Sequence, residues 1–228
     1  MPDPIVALLE NTEEVGRLVE LHEEKTGTRP GRRFGVEILN KSAIVLLTAC
    51  WEAFVEDTAS AGFEFILQET TDPSKLPKHI RQRVAKLLKE DKHELKLWEL
   101  AEGGWRNVLR AYKQQMLSAY LSFFHTPKAG NVDELFSALL DLPKLSDNWS
   151  WQNMPAQAAR QRLADFIELR GYIAHRVKAR QVVHKVAVTD YRSFINHLAV
   201  RSANVVRDHV HSLVAKHPWP VHTIGKFQ

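Results

Sequence analysis

The chain has 228 residues, 44% of them apolar and 25% charged, with a formal charge of +4 and a single cysteine, Cys50. That length and balance fit one large soluble domain with a sizeable core, and they exclude a disulfide framework or a multi-cysteine metal site. The charge is uneven: residues 156–228 hold 12 Lys/Arg against 4 Asp/Glu, a formal +8, while residues 1–155 hold 19 against 23, a formal −4. A basic C-terminal third suits an anionic partner, nucleic acid first among them, and equally a solvated basic helix face.

In chain order, Asp3-Pro4 offers a cap with proline at the first helical position and predicts a helix to about Lys25. TGTRPG, Thr26 to Gly31, should end it. From about Val36 to Thr70 the chain is apolar nearly all round at its centre, the pattern of the innermost helix of a bundle. After Pro73 and Pro77, HIRQRVAKLLKEDKHELKLWEL reads as an exposed helical pair broken near Gly103-Gly104. WRNVLRAYKQQMLSAYLSFF is a further helix, closing before Thr126-Pro127. Asn131, with Glu134 three places on, has the spacing of a capping box and predicts the start of a short helix.

Pro143 to Pro155 reads as a loop carrying Trp149 and Trp151, which stand open as base-stacking candidates, whereas Trp51 belongs in the core. A helical pattern returns from about Ala156 to Val177, then QVVHKVAV is a strand or an extended connector. Thr189-Asp190 caps a last helix to about Lys216. No apolar run approaches the roughly 20 residues of a bilayer span, and MPDPIVALLE lacks the order of a signal peptide, so the expectation is a cytoplasmic chain outside the membrane.

Metal chemistry has little support in the histidines. None falls in HExxH, and His209 and His211, two apart, point to opposite sides of a helix. The chain also lacks GxGxxG, a P-loop and GxSxG.

The penultimate helix is the informative one. Its apolar positions recur at Leu163, Phe166/Ile167 and Ile173/Ala174, and Arg170 stands where the series calls for another apolar residue. A guanidinium on a buried stripe needs a carboxylate, an interface or a bound anion. Glu52, beside Trp51 in the central apolar helix, is a candidate partner, which would make Arg170 a purely structural residue. Arg170 and His175 diverge by roughly 140° around the helix and about 7.5 Å along it, so they share no face. His175 stacks instead over Gly171, whose missing side chain leaves a notch for another backbone. Such a pair needs a second surface, and a symmetric dimer supplies one.

RGYIAH, an arginine, four intervening residues and a histidine near the end of a late helix, resembles the signature of the HEPN superfamily. SAIVLLTACWEAFVEDTA resembles the second helix of the RiboL-PSP-HEPN branch, which is associated with RNA-repair neighbourhoods. TPKAGNVDELF, followed by its tryptophan-bearing loop, is similar to that branch too, and the likeness spans most of residues 36–215.

The predicted helices make an all-α bundle, and the resemblance implies that it is HEPN-like, an antiparallel four-helix core with extra helices, in a single domain. Its core would occupy about 36–215, with an N-terminal helix at 1–25 and a helical insertion at 71–104. It further implies an endoribonuclease needing no metal or cofactor, working on RNA as a homodimer with a composite site. The expected role is that of a toxin, a defence effector or an RNA-processing enzyme, with an antitoxin protein as a further partner. In that scheme His175 moves the proton of the 2′-hydroxyl or of the leaving 5′-oxygen, and imidazole suits this because its ordinary pKa lies near about 6.5. Arg170 would hold the scissile phosphate and offset its developing charge.

Arg176, Lys178 and Arg180 would contact flanking phosphates, or simply sit favourably at a helix C-terminus. Gly171 stands where the family usually has a polar residue, so the alternative is a catalytically inactive HEPN module that binds RNA or a protein. Val177 stands where some relatives carry a tyrosine modified by a nucleotidyltransferase, which argues against that regulation here.

Overall fold

The structure is a computed structural model and describes residues 3–26, 37–123, 127–175 and 182–224. Among the described residues there are seven α-helices and no strand longer than an isolated bridge, so the chain is an all-α bundle.

Helix α1 (Pro4–Thr26) opens as its first residues dictate: Asp3 Oδ1 accepts from the Ile5 N–H at 3.0 Å, and proline takes the first helical position. Helix α2 (Glu37–Glu69) is the axis of the bundle. Its buried residues recur three and four apart along one broad face, with Ile44, Leu47, Trp51 and Ala59 fully enclosed against α1 and the later helices. Leu46, Ala49 and Asp57 on the other face are exposed, so the helix is not enclosed all round as its apolar centre suggested. By length and composition α2 also meets the requirement for crossing a bilayer, contrary to the expectation that no segment would. In this fold, however, 56% of that apolar window is buried against other helices.

Side-chain contacts set the directions. Asn40, early in α2, bonds Val183 just before α7 (Lys185–Val214), while Glu69 at the end of α2 pairs with Lys216, so α2 and α7 run parallel. Glu23–Lys185 and Asp3–His222 make α1 antiparallel to α7.

Helix α3 (Lys78–Glu90) buries Ile80, Val84 and Leu88, one stripe at helical spacing. The helical pair expected here is not formed. The break falls at Asp91, well before the glycines, because its carboxylate takes the His93 N–H at 3.0 Å and the Lys96 ammonium at 2.5 Å and draws the chain out of the helix. A 3-10 segment, Glu94–Leu100, takes the place of the second helix. Gly104 has its own role, since a Cβ there would collide with the Glu99 carbonyl oxygen.

Helix α4 (Trp105–Phe123) runs antiparallel to α2. Arg106 donates to the carbonyls of Leu67 and Thr70, at 3.2 and 2.7 Å, and so satisfies acceptors left over at the end of α2. Arg110 and Lys113 converge on Glu64 at 3.1 and 2.6 Å. Burial alone would raise the Glu64 pKa, but the two cations outweigh it and hold the carboxyl below its usual range. This contribution to stability is present above the ordinary glutamate range and is lost as pH falls through the lowered value.

Helix α5 (Ala129–Leu140) begins at Ala129 with Lys128 as its cap residue, so Asn131 lies inside the first turn and does not cap it. The chain enters the bundle from Pro127, whose carbonyl accepts from Trp51 Nε1 at 3.0 Å, and that anchor decides where the helix can start. Asp133 accepts both the N–H and the hydroxyl of Ser146 at 2.7 Å each, tying α5 to the following loop.

That loop holds Trp149 and Trp151, with opposite outcomes. Trp149 is fully buried, donates to Ser202 Oγ at 2.9 Å and meets Trp51 edge-on, so it is a core residue and no stacking surface. Trp151 is only partly buried and stacks on His197 with ring centroids 5.0 Å apart.

Helix α6 (Ala156–His175) comes next, and α7 then starts at Lys185, four residues before the predicted cap, so QVVHKVAV contributes no strand among its described residues. His209 donates to the Leu140 carbonyl at 2.7 Å, while His211 stacks on His217 at 4.0 Å, so the two helical histidines do diverge. Among the described residues no three His, Cys, Asp or Glu side chains gather in a metal-binding group.

Gly62 of α2 faces both α5 and α7, with Leu140 and Val206 standing 3.2 to 3.4 Å from the place a Cβ would take. Gly62→Leu is therefore expected to lose about 1–3 kcal/mol by overpacking, read as a lower urea midpoint with an unchanged m-value.

Candidate active site

Helix α6 buries Ala159, Leu163, Phe166, Ile167 and Ile173, and Arg170 interrupts that stripe as its spacing predicts. Ala174, predicted with Ile173 on the stripe, is exposed, since it lies about 100° round the helix from the buried Ile173. Phe166 holds the helix against Tyr191 of α7, with ring centroids 4.7 Å apart.

Arg170 is half-buried, and its Nε is fully enclosed without a hydrogen-bond partner. The predicted Arg170–Glu52 pair is not formed. The reason is register. Phe166 is level with Tyr191 on α7, and α7 is aligned with α2 through Asn40 and Val183, which sets Arg170 beside the second turn of α2. Glu52 lies about 12 Å further along the axis.

On α2, Glu52 stands one turn from Glu56, and both act on Tyr120 of α4. Burial first, then Glu56 and Glu52, push the Tyr120 hydroxyl far above its ordinary value. Burial, with Asp57 and Glu52 adding to it, likewise raises the Glu56 carboxyl. Glu52 therefore belongs to a carboxylate–tyrosine cluster on the α4 side of the bundle.

His175 ends α6 and is exposed. A Cβ added at Gly171 would meet nothing within 4 Å, so the notch below His175 faces open space. The helix thus presents a half-buried cation with an unsatisfied N–H and, 140° away by helical geometry, an exposed imidazole, with an open glycine between them. Arg176, Lys178 and Arg180, expected to contact flanking phosphates, lie outside the described residues.

The end of the bundle around this turn is firmly built. His22 donates to Asn40 Oδ1 at 3.0 Å, Asn40 donates to the Val183 carbonyl at 2.8 Å, and Lys185 pairs with Glu23 at 2.5 Å. These bonds join the end of α1 and the start of α2 to the start of α7. Sequence reading missed His22 and Asn40 because a buried polar pair 18 residues apart has no periodic signature.

This end also exposes apolar side chains. Ile38, Tyr172, Val182 and Val186 are each more than half exposed. Single exposed apolar residues are ordinary, whereas a group of them beside the Arg170–His175 turn makes this end a candidate contact surface.

The family model described as RiboL-PSP-HEPN matches residues 8–207. No curated protein matches the chain. No solved structure matches it either.

Proposed function

Because the chain belongs to the RiboL-PSP-HEPN family, we propose that it is an RNA-cleaving enzyme whose chemistry rests on Arg170 and His175. The observation that carries the reading is the buried, unpartnered Nε of Arg170 on the same last turns that expose His175. A structural arginine would be expected to spend that donor on a carboxylate or carbonyl within the fold, since an orphaned buried donor is costly. Arg170 is only half-buried, so a phosphate oxygen arriving from RNA can meet its guanidinium, and a small shift of the side chain would then bring Nε a partner.

The reaction proposed is attack of the ribose 2′-oxygen on the adjacent phosphorus, with the 5′-oxygen of the next nucleotide leaving. The 2′-hydroxyl gives up its proton, the 5′-oxygen gains one, and the products are a 2′,3′-cyclic phosphate and a 5′-hydroxyl. His175 transfers the proton, and Arg170 steadies the charge on the non-bridging oxygens. The nucleophile comes from the substrate, so the mechanism calls on neither a metal nor a protein nucleophile.

The 140° divergence is best met by two chains. A symmetric pairing across the exposed Ile38, Tyr172, Val182 and Val186 side chains would bring a second α6 end opposite the first. Tyr172→Glu or Val186→Glu is expected to reduce the mass in solution and to lower cleavage in parallel, with circular dichroism unchanged. Loss of association with full activity retained would leave the single chain as the catalyst.

The test is cleavage of RNA in EDTA by wild type, His175→Ala and Arg170→Ala, with the product ends identified. Equal cleavage by all three, or loss of wild-type activity in EDTA, overturns the mechanism. The open space at Gly171 favours a second reading, a HEPN module that binds RNA or a protein without cutting it, because no polar side chain stands there to reach a substrate. Salt-sensitive RNA binding with no cleavage would establish it. A toxin, a defence effector and an RNA-processing enzyme all fit the chemistry, and an antitoxin would have to cover this end of the bundle.

A further inference from the structure

Among the described residues, a second group of exposed apolar side chains stands apart in the chain from α6. In the 3-10 segment after α3, Leu95 and Leu97 are more than half exposed, Leu100 is exposed, and Trp98 is 76% exposed. Four large apolar side chains within six residues form a knob, and tryptophan is the residue most often found as an anchor in protein interfaces. The knob is held in shape: Asp91 grips Lys96, and the Ala101 N–H closes on the Trp98 carbonyl.

A cleft opens near the other end of α3. It lies among α3, α4 and α5, has a volume of about 470 Å³, and is floored by Met116, Leu135, Ala138 and Pro143. That size falls within the range of ligand-binding clefts. Arg83 and Lys144 stand on its rim with Glu134, while Asp133 is already used by Ser146. The knob carries both signs as well, Lys92 before it, Glu99 within it and Glu102 after it, so the rim and the knob can pair cation with carboxylate. Arg83 lies about 10 Å along α3 from the end of that helix, where the knob begins. Two copies related by a two-fold axis beside these features can each place a knob in the other's cleft.

We propose that the Trp98 knob docks into the α3–α4–α5 cleft of a second copy of this chain, forming an interface separate from the α6 end. The indole and a neighbouring leucine fill the apolar floor, and Arg83 and Lys144 face Glu99 and Glu102. The interface is independent of any reaction at Arg170 and His175.

The experiment tracks mass in solution for the full chain carrying Tyr172→Glu, so that pairing through the α6 end does not contribute. Self-association is expected, and Trp98→Ser or Ala138→Glu, each added separately, should return the protein to monomer. Mixing Trp98→Cys protein with Ser137→Cys protein under oxidation should give a covalent pair, because the native Cys50 is buried and does not compete. A monomer with Trp98 intact, a mass unmoved by Trp98→Ser, or absence of the Trp98–Ser137 cross-link overturns the proposal. Binding of a different protein by a chain that does not self-associate also overturns it. Cleavage by the Trp98→Ser chain reports on the catalytic reading alone.

Discussion

His175→Ala is expected to lower RNA cleavage by about 10²- to 10⁴-fold, the usual contribution of a positioned proton-transfer group. The residue is exposed at the end of α6, so its removal leaves no cavity, and the melting temperature should stay at the wild-type value. Arg170→Ala should cost about 10²- to 10³-fold, as loss of a group that stabilises developing charge does.

The more diagnostic readout for Arg170 is stability. Arg170 makes no ion pair or hydrogen bond with the described residues, so replacing it removes an unsatisfied buried donor and should change stability by no more than about 1 kcal/mol, lost stem packing included. A large loss of stability with cleavage retained would identify a structural arginine instead. Arg170→Lys keeps the charge but not the planar fork, and an intermediate rate is expected. An RNA with a single 2′-deoxy sugar should resist cutting at that position alone, since the nucleophile there is gone.

Trp149→Ala is expected to be among the most destabilising single changes, at about 3–5 kcal/mol. For a chain of this size that corresponds to a fall of roughly 6–20 °C in Tm. The indole is fully enclosed, lies edge-on to Trp51 at 5.9 Å between centroids, and spends its N–H on Ser202. Trp149→Phe separates the contributions: it keeps most of the apolar contact but strands the Ser202 hydroxyl, and should cost about 1–3 kcal/mol. Thermal unfolding by calorimetry checks both. A Tm within about 2–3 °C of wild type for the alanine variant would mean that the loop does not close over the core as described.

Trp149 also marks a limit of sequence reading. Nothing in PKLSDNWSWQNMP distinguishes its two tryptophans, since both stand among polar residues in a loop. Their fates separate because Asp133 takes Ser146 and turns the chain so that Trp149 faces inward between α2 and α7. The Trp98 knob is the converse case: its residues read as an exposed helix, and only the break at Asp91 turns them into a protruding 3-10 segment.

The sequence by itself determined what depends on local chemistry. It includes the all-α class, the extent of α1, α2 and α4 and the end of α7, all set by proline, capping residues and the period of apolar positions. It also includes Arg170 as a break in the apolar stripe of α6, and the divergence of Arg170 from His175, which results from helical geometry alone. The tertiary structure decided what depends on register between segments distant in the chain. Glu52 is one apolar-face neighbour among many until α7 aligns α6 with α2, and that alignment moves it two turns away from Arg170. The arginine is then left with a buried N–H that the described fold does not satisfy, and the physical reason lies in helix packing, which no single helix encodes.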